Sequence, residues 1–395
     1  MGSNPTGTTF FIFKMNTAIF LDLDDFSSNY RMLKHGYSYS KLEESHVYLV
    51  GIFRNSIPKI IEDSPNVSIY ELVPFFNYPK YYSILLYPLM MLFYLIQIIS
   101  VTYKIRKARF VFASTNKIFM HFICSYLLKF LKKAKFVFDI SVPKSVPTKN
   151  VKNYASNYYG SYLLNLCDIR ICSTRSMQGF FKLKKLDSHV IRDTTGPLFC
   201  RSIENRSKIE SLLGIESNIP VIVIPFPFLD EEMVQSMINI CVSIDSIGIK
   251  LALIIFGGGK SQKSLETKFK KLEFKHIQCR ILPLLSEAYP IVLSACDFGI
   301  ILSGSRLILD ISQELIEFNW SCVPSAVFLN GCVKEIIKEN ETGFLYSNTE
   351  SLIKIMREVF VEKKHNLDLM SQEISSHLES WESNWHNVFC QYMNF

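Results

Sequence analysis

The chain runs to 395 residues with 48% hydrophobic content, and 43 basic against 36 acidic side chains give it a net charge of +7. That length suits two domains of ordinary size, each with its own core. The basic residues are dispersed and match no nucleic-acid-binding pattern, which excludes nucleic acid as an expected partner, whereas lipid headgroups and nucleotide phosphates suit a modest positive charge.

Near the amino end, Phe10–Phe13 is too short an apolar run for a signal peptide, and Asp22, Asp24 and Asp25 follow soon after. Thr17–Leu23 reads as the first strand. A loop leads to a helix near Lys34, and Val47–Phe53 and Val67–Val73 read as the second and third strands. This β-α-β-β order suits an open parallel sheet.

Tyr81–Tyr103 contains no charged residue, and Lys104, Arg106, Lys107 and Arg109 follow at once. As a helix it would be about 35 Å long, enough to cross a bilayer core. It reads as a buried core helix or as a membrane segment, and the basic cluster favours the second. Arg109–Ala113 and Ala134–Asp139 read as further strands of the same sheet. A single crossing would then separate strands of one sheet, so the segment is expected to lie in the interface or re-enter, its basic cluster at anionic headgroups.

Cys167–Thr174 reads as the last strand of the first domain, with a helix from Ser176, and Val190–Phe199 as a hinge. The second domain opens near Arg201, with strands at Pro220–Ile224 and Leu251–Phe256. A helix over Tyr289–Ala295 precedes Asp297 and a buried strand, and the loop Ser303-Gly304-Ser305-Arg306 follows. Then come a helix with Glu314 and Glu317, a Pro-marked strand at Val323–Val327, and a Thr342-Gly343 turn. Residues from Ser351 onward read as helical. The expected domains are 1–195, 196–350 and a helical tail, 351–395, that packs back on the first.

Unbroken apolar strands are buried on both faces, as in parallel sheets. Ligands of such sheets sit at the carboxyl ends of the strands. Two loops there are candidate donor-binding elements. Ser303, Gly304, Ser305 and Arg306 offer amides, hydroxyls and a guanidinium to a diphosphate, or form an ordinary turn. Gly258, Gly259 and Lys260 face the cleft on a flexible loop that lacks P-loop spacing. Glu317 can accept two hydrogen bonds from vicinal ribose hydroxyls, or serve as a solvated helix glutamate. Asp139 suits a carboxylate base on a sugar hydroxyl, or a structural strand-end role. No histidine falls in a defensible pattern. The ten cysteines show no C-x-x-C spacing, so a structural zinc site is not expected and a reducing compartment is.

Asp297-Phe298-Gly299, Ser303 to Ser305, Leu309-Asp310-Ile311-Ser312, Glu317, Val323-Pro324-Ser325, Glu335 and the run from Glu339 to Tyr346 together resemble the donor half of a GT-B glycosyltransferase. More narrowly, they resemble the chitobiosyldiphosphodolichol β-1,4-mannosyltransferases. In the first half, Asp25, Arg31, Met32 and Asp139 match that family's pattern, while two glycines and a His of the pattern are missing and Glu314 stands where the family has Lys. The resemblance covers roughly Ala18 to Val388.

It implies an α/β GT-B fold: two Rossmann-like domains facing across a cleft, with a membrane-associated apolar helix in the first. It implies transfer of mannose from GDP-mannose to a dolichol-diphosphate-linked chitobiose acceptor, without a metal or other cofactor. The implied donor contacts include Glu317, Asp310 and Arg31, and the implied catalytic carboxylates are Asp139 and Asp25. The implied partners are a nucleotide sugar, the lipid-linked acceptor, a membrane surface and other transferases of lipid-linked oligosaccharide synthesis, at the cytosolic face of the endoplasmic reticulum. A catalytically silent homologue acting as a scaffold, or an enzyme with another sugar donor, is the alternative.

Overall fold

The computed structural model describes residues 16–75, 83–105, 107–114, 118–140, 161–195, 199–202, 204–227, 231–258, 262–283, 288–302, 309–329 and 331–393. Its first unit runs β1 (Asn16–Asp25), α1 (Tyr30–Ser40), β2 (Ser45–Ile52), α2 (Lys59–Glu62), β3 (Val67–Glu71), α3 (Ser83–Thr102), β4 (Phe110–Ser114), α4 (Ile118–Lys132), β5 (Lys135–Ile140), α5 (Ser161–Asn165), β6 (Ile169–Cys172), α6 (Arg175–Leu183) and β7 (His189–Val190). These strands form one parallel sheet in the order β3-β2-β1-β4-β5-β6-β7. The short β7 lies where the sequence suggested a hinge, so β6 is not the last strand of this sheet.

Alternation along β1 sorts the layers. Ile19, Leu21 and Leu23 pack with α3 and α4, through Tyr94, Ile98, Cys124 and Leu128. Ala18 and Phe20 face the opposite side, against Leu33 and Tyr39 of α1 and against Trp381, Trp385 and Phe389 near the carboxyl end. The uncharged run becomes α3, with Pro88 inside it. Among the described residues no helix is long and apolar enough to cross a membrane. β3 and β4 flank α3 in sequence and belong to the same sheet.

The second unit runs α7 (Glu204–Leu213), β8 (Val221–Pro227), α8 (Glu231–Asp245), β9 (Leu251–Gly258), α9 (Gln262–Phe269), β10 (Ile277–Pro283), α10 (Ala288–Ala295), β11 (Phe298–Ile301), α11 (Gln313–Trp320), β12 (Ser325–Phe328), β13 (Gly343–Tyr346), α12 (Thr349–Phe360) and α13 (Leu367–Ser376). Its parallel sheet has the order β10-β9-β8-β11-β12-β13. Strand β10, half-exposed and carrying Arg280, lacks the apolar run that marks its neighbours. α12 and α13 pack on this second unit through Leu352, Met356 and Met370. The last helix, α14 (Trp381–Phe389), returns to the first unit. There Trp381 Nε1 donates to Ser38 Oγ and Trp385 Nε1 to His35 Nδ1.

In each sheet the strand order reverses beside the first strand of the unit, between β1 and β4 and between β8 and β11. A crevice at the carboxyl ends of such strands is where ligands of doubly wound sheets bind.

Candidate functional site

At the first reversal point, Asn29 Nδ2 bridges Asp22 Oδ2 at the end of β1 (2.6 Å) and Ser114 Oγ at the end of β4 (3.0 Å). Asn29 also caps α1, accepting from Met32 N. Asp22 and His121 are fully buried, with Asp22 Oδ1 3.0 Å from His121 Nε2, to which Leu23 N–H also points. Burial raises the Asp22 carboxyl, but His121, Asn29 and the Asp24 amide outweigh it and hold it low. Asp25 is placed otherwise. Its Oδ1 accepts from Ser27 N, Ser27 Oγ and Arg54 N, and its Oδ2 from Asn55 Nδ2. The Asp25 carboxylate therefore braces the turn after β1, a structural use that competes with the catalytic role implied by the resemblance.

Arg31 and His35 lie four residues apart on α1, so both reach the end of β5. Arg31 Nε donates to Asp139 Oδ2 (2.6 Å) and Nη1 to Asp193 Oδ1 (2.7 Å). Trp385 donates to His35 Nδ1, so the neutral ring carries its proton on Nε2, 3.3 Å from Asp139 Oδ2. Burial pushes the Asp139 carboxyl up, but the Arg31 guanidinium and His35 prevail and hold it at about 2. A carboxylate held so low binds a proton weakly. Asp139 is thus better suited to fixing Arg31 than to acting as a base. Arg31, assigned to donor by the resemblance, is spent on two carboxylates. Among the described residues, buried Asp139 Oδ1 and Arg31 Nη2 have no hydrogen-bond partner. Buried orphans of this kind call for a polar ligand or water. Next to them, burial lowers the Lys34 ammonium to about 8, and Lys34 Nζ donates to Thr194 O and Oγ1.

From the second unit, Ser303, Gly304, Ser305, Arg306, Gly259 and Lys260 lie outside the described residues, and Gly258 closes strand β9. Ser312 caps α11 by accepting from Leu315 N, which sets the helix face. Glu317 accepts from the Tyr289 hydroxyl (2.9 Å), whose ring packs against Phe256 and Phe199.

Asp310 reaches the first unit instead: Ser173 Oγ donates to its Oδ1 (2.7 Å). Beside it Thr174 Oγ1 donates to Leu309 O, and the Glu335 carboxylate takes Arg175 N, Ser176 N and Ser176 Oγ, all within 2.7 Å, at the start of α6. Burial, then the nearby Asp193 charge, push the Asp310 carboxyl up to about 6. A cavity of about 270 Å³ opens here between the units. Asp193, Asp310, Asn319, Trp320, Lys334 and Glu335 are among the residues lining it; Glu317 is not.

The structure thus gathers Arg31, Asp139 and Asp310 at one cleft and leaves Asp25 and Glu317 in separate settings. Asp193, His35 and Ser173 escaped the sequence reading. Ser173 follows strand β6 directly, Asp193 stands three residues past β7, and His35 stands one helical turn from Arg31. Strand ends and helix periodicity were the available signals.

Parts of the matching motif prove to be scaffold. Asp297 sits at the amino end of β11, where its Oδ2 accepts from Val221 N and Arg206 Nη1. A Cβ on Gly299 would come within 2.4 Å of the Phe318 ring. A Cβ on Gly343 would come within 2.7 Å of Ser325 O.

No protein-family model matches the chain. It is 27% identical over 150 residues to the chitobiosyldiphosphodolichol β-mannosyltransferase of Dictyostelium discoideum, a match over 34% of this chain and 30% of that protein. To the protein of the same name from Debaryomyces hansenii it is 23% identical over 419 residues, covering 95% of this chain and 87% of that one. A glycosyltransferase structure from Rickettsia africae superposes with a TM-score of 0.68 at 14% identity, over 96% of this chain and 98% of that one. The chain has the two parallel-sheet domains of the GT-B fold and is a divergent relative of the chitobiosyldiphosphodolichol β-mannosyltransferases.

Proposed function

We propose that the chain is a glycosyltransferase that moves mannose from GDP-mannose to a dolichol-diphosphate-linked chitobiose, with inversion and without a metal, at the cytosolic face of the endoplasmic reticulum membrane. The observation that carries this reading is the interdomain cavity, where Asp310 of the motif-bearing half meets Ser173 and the Arg31–Asp139–Asp193 cluster. Inverting transfer needs a carboxylate to take the proton of the acceptor hydroxyl as its oxygen attacks the anomeric carbon and the bond to the diphosphate breaks. A group near pH 6 suits that task better than one near 2. Asp310 is therefore the proposed base and Asp139 the group that holds Arg31. Lys260, Arg306 and the amides of Ser303 to Ser305 are assigned to the leaving diphosphate.

The test is transfer from labelled GDP-mannose to a phytanyl-diphosphate chitobiose, with Asp310→Asn expected to lose about a hundred- to ten-thousandfold in rate. The resemblance puts a ribose contact at Glu317, which lies outside the cavity; if that contact is made, Glu317→Ala weakens GDP about ten- to a hundredfold, and unchanged affinity would remove Glu317 from the donor site. Transfer undiminished in Asp310→Asn would remove it as base.

The bracing of Asp25 and the pairing of Asp139 favour a second reading, a silent GT-B homologue. GDP binding without transfer to any acceptor would establish it.

A further inference from the structure

Lys34 carries a charge that the proposed chemistry does not use and that the fold holds at a cost. It stands on α1, three residues after Arg31. Burial strips water from its ammonium, the charges of Asp193 and Glu382 offset only part of that, and Arg31 adds to it, so Lys34 sits at about 8 rather than the usual 10.5. These charges come from the three elements that meet there: Arg31 from α1, Asp193 from the segment after β7, and Glu382 from α14, whose Trp381 ring centre lies 5.6 Å from Nζ. Because the folded value lies below the unfolded one, the penalty is fully present below about 8 and is relieved as pH rises to 10.5. A stabilising charge would have the opposite sign. Nor does filling the space call for one, since an apolar side chain of similar volume commonly serves a buried site as well as an ion does.

The hydrogen bonds show what the charge holds. Lys34 Nζ donates to Thr194 O (2.5 Å), Thr194 Oγ1 (2.5 Å) and Thr195 O (3.2 Å). An ammonium has three donors, and here they meet three oxygens of two consecutive residues. Those residues follow Asp193, whose carboxylate accepts from Arg31 Nη1 (2.7 Å) and lines the interdomain cavity with Asp310. The ladder of β7 ends at Val190, and one further backbone bond, Ile191 N to Cys172 O (2.9 Å), follows it. Past that bond α1 holds the chain twice, by Arg31 on the Asp193 side chain and by Lys34 on the backbone just beyond. Asp193 is 26% exposed, so a loosened segment can turn it toward water.

We infer that Lys34 is a positioning residue for the transfer: its ammonium fastens Thr194 and Thr195 to α1 and so keeps Asp193 turned toward Asp310 across the cleft. A neutral amine has only two donors and a lone pair, so deprotonation breaks one of the three bonds and sets that lone pair against an oxygen. The role in transfer rests on the transferase reading with Asp310 as base. The hold on residues 193–195 does not, and it is measured without nucleotide or acceptor.

Lys34→Met keeps the bulk of the side chain and removes its charge. In the full chain without ligand, this variant is expected to exchange amide hydrogens faster over 191–195 and at the parent rate elsewhere, with the melting temperature retained or raised. In transfer from labelled GDP-mannose, kcat is expected to fall about ten- to a hundredfold while KM for the donor barely moves. The pH profile separates charge from shape. The unmutated chain is expected to lose rate above about pH 8, whereas Lys34→Arg, which does not titrate there, should recover most of the rate and lack that alkaline limb. Unchanged exchange over 191–195 in Lys34→Met overturns the proposal, whatever the transfer assay shows. So does an alkaline limb that persists in Lys34→Arg, or a raised KM with kcat intact, which would put Lys34 on the donor instead. Faster exchange in a chain that transfers to no acceptor would overturn the transferase reading, and with it the role in transfer, while the hold on 193–195 stands.

Discussion

Arg31 stands between two carboxylates in a setting almost without water, which makes its removal expensive. Arg31→Ala would leave Asp139, 1% exposed, charged and without its cation. Breaking a buried pair from one side costs about 3–5 kcal/mol. Denaturant unfolding is expected to show that loss, and adding Asp139→Asn should return part of it. A loss under about 1 kcal/mol would mean that water reaches Asp139 freely. Asp310 has the opposite sign. Its folded carboxyl sits near 6, above the usual 3.8, so the folded state binds the proton more tightly. Its contribution to stability is fully present below 3.8 and is lost as pH rises through 6, amounting to about 3 kcal/mol. Asp310→Asn keeps a partner for Ser173 but does not titrate. Its melting temperature should therefore gain on the parent between about pH 4 and pH 7, and parallel curves would show that Asp310 is not desolvated in solution.

Among elements, the junction of β11 and α11 is the tightest. Gly299 lets the Phe318 ring lie directly on the strand, and that contact sets the height of α11, which carries Glu317 and follows Asp310. Gly299→Ala is expected to cost at least about 1–3 kcal/mol through overpacking, and Phe318→Leu in the same chain should relieve it. Thermal unfolding of the single and double variants tests this, and additive losses would mean that the two side chains do not press on each other. The junction also explains what the sequence could disclose. Apolar strands buried on both faces, such as Phe298–Ile301, announce a parallel sheet by composition alone, and so most strands and both sheets were legible. β7, β10 and β13 were not: β7 is two residues long, β10 is half-exposed, and β13 was read only as the Thr342-Gly343 turn that opens it. Of the site, Asp139 and Asp310 were legible as strand-end and motif carboxylates. Their division of labour was not, because it depends on Arg31 and His35 of α1 meeting Asp193, which arrives from a distant segment after β7. The Asp297-Phe298-Gly299 motif pointed to the right fold through residues that do only structural work.

At the scale of the whole molecule, the two units are held by two different kinds of link. One is covalent and apolar: α14 carries Trp381, Trp385 and Phe389 back into the first core, where Trp385 and Phe389 stack at 4.5 Å. The other is polar and local: Glu335, Asp310 and Leu309 O accept hydrogen bonds from the start of α6. The apolar link is buried and has no cheap alternative. The polar link exchanges readily with water, since each hydrogen bond nets only about 1 kcal/mol. A transferase that admits a donor and releases GDP must open at the weaker of the two. Glu335 is where that can be tested, because its carboxylate takes three of the crossing bonds, two of them from the first backbone amides of α6, where the helix dipole favours an acid. Glu335→Ala is expected to shift the chain toward an open form, seen as a larger radius of gyration in small-angle scattering, with the melting temperature of each core little changed. GDP should restore the compact form in both chains if closure is driven by donor, although the variant should need more nucleotide, because part of the binding energy then goes into closing the cleft. An unchanged scattering profile in Glu335→Ala would place the hold between the units in the α14 link alone, and the cleft would then open only by bending the chain between α13 and α14.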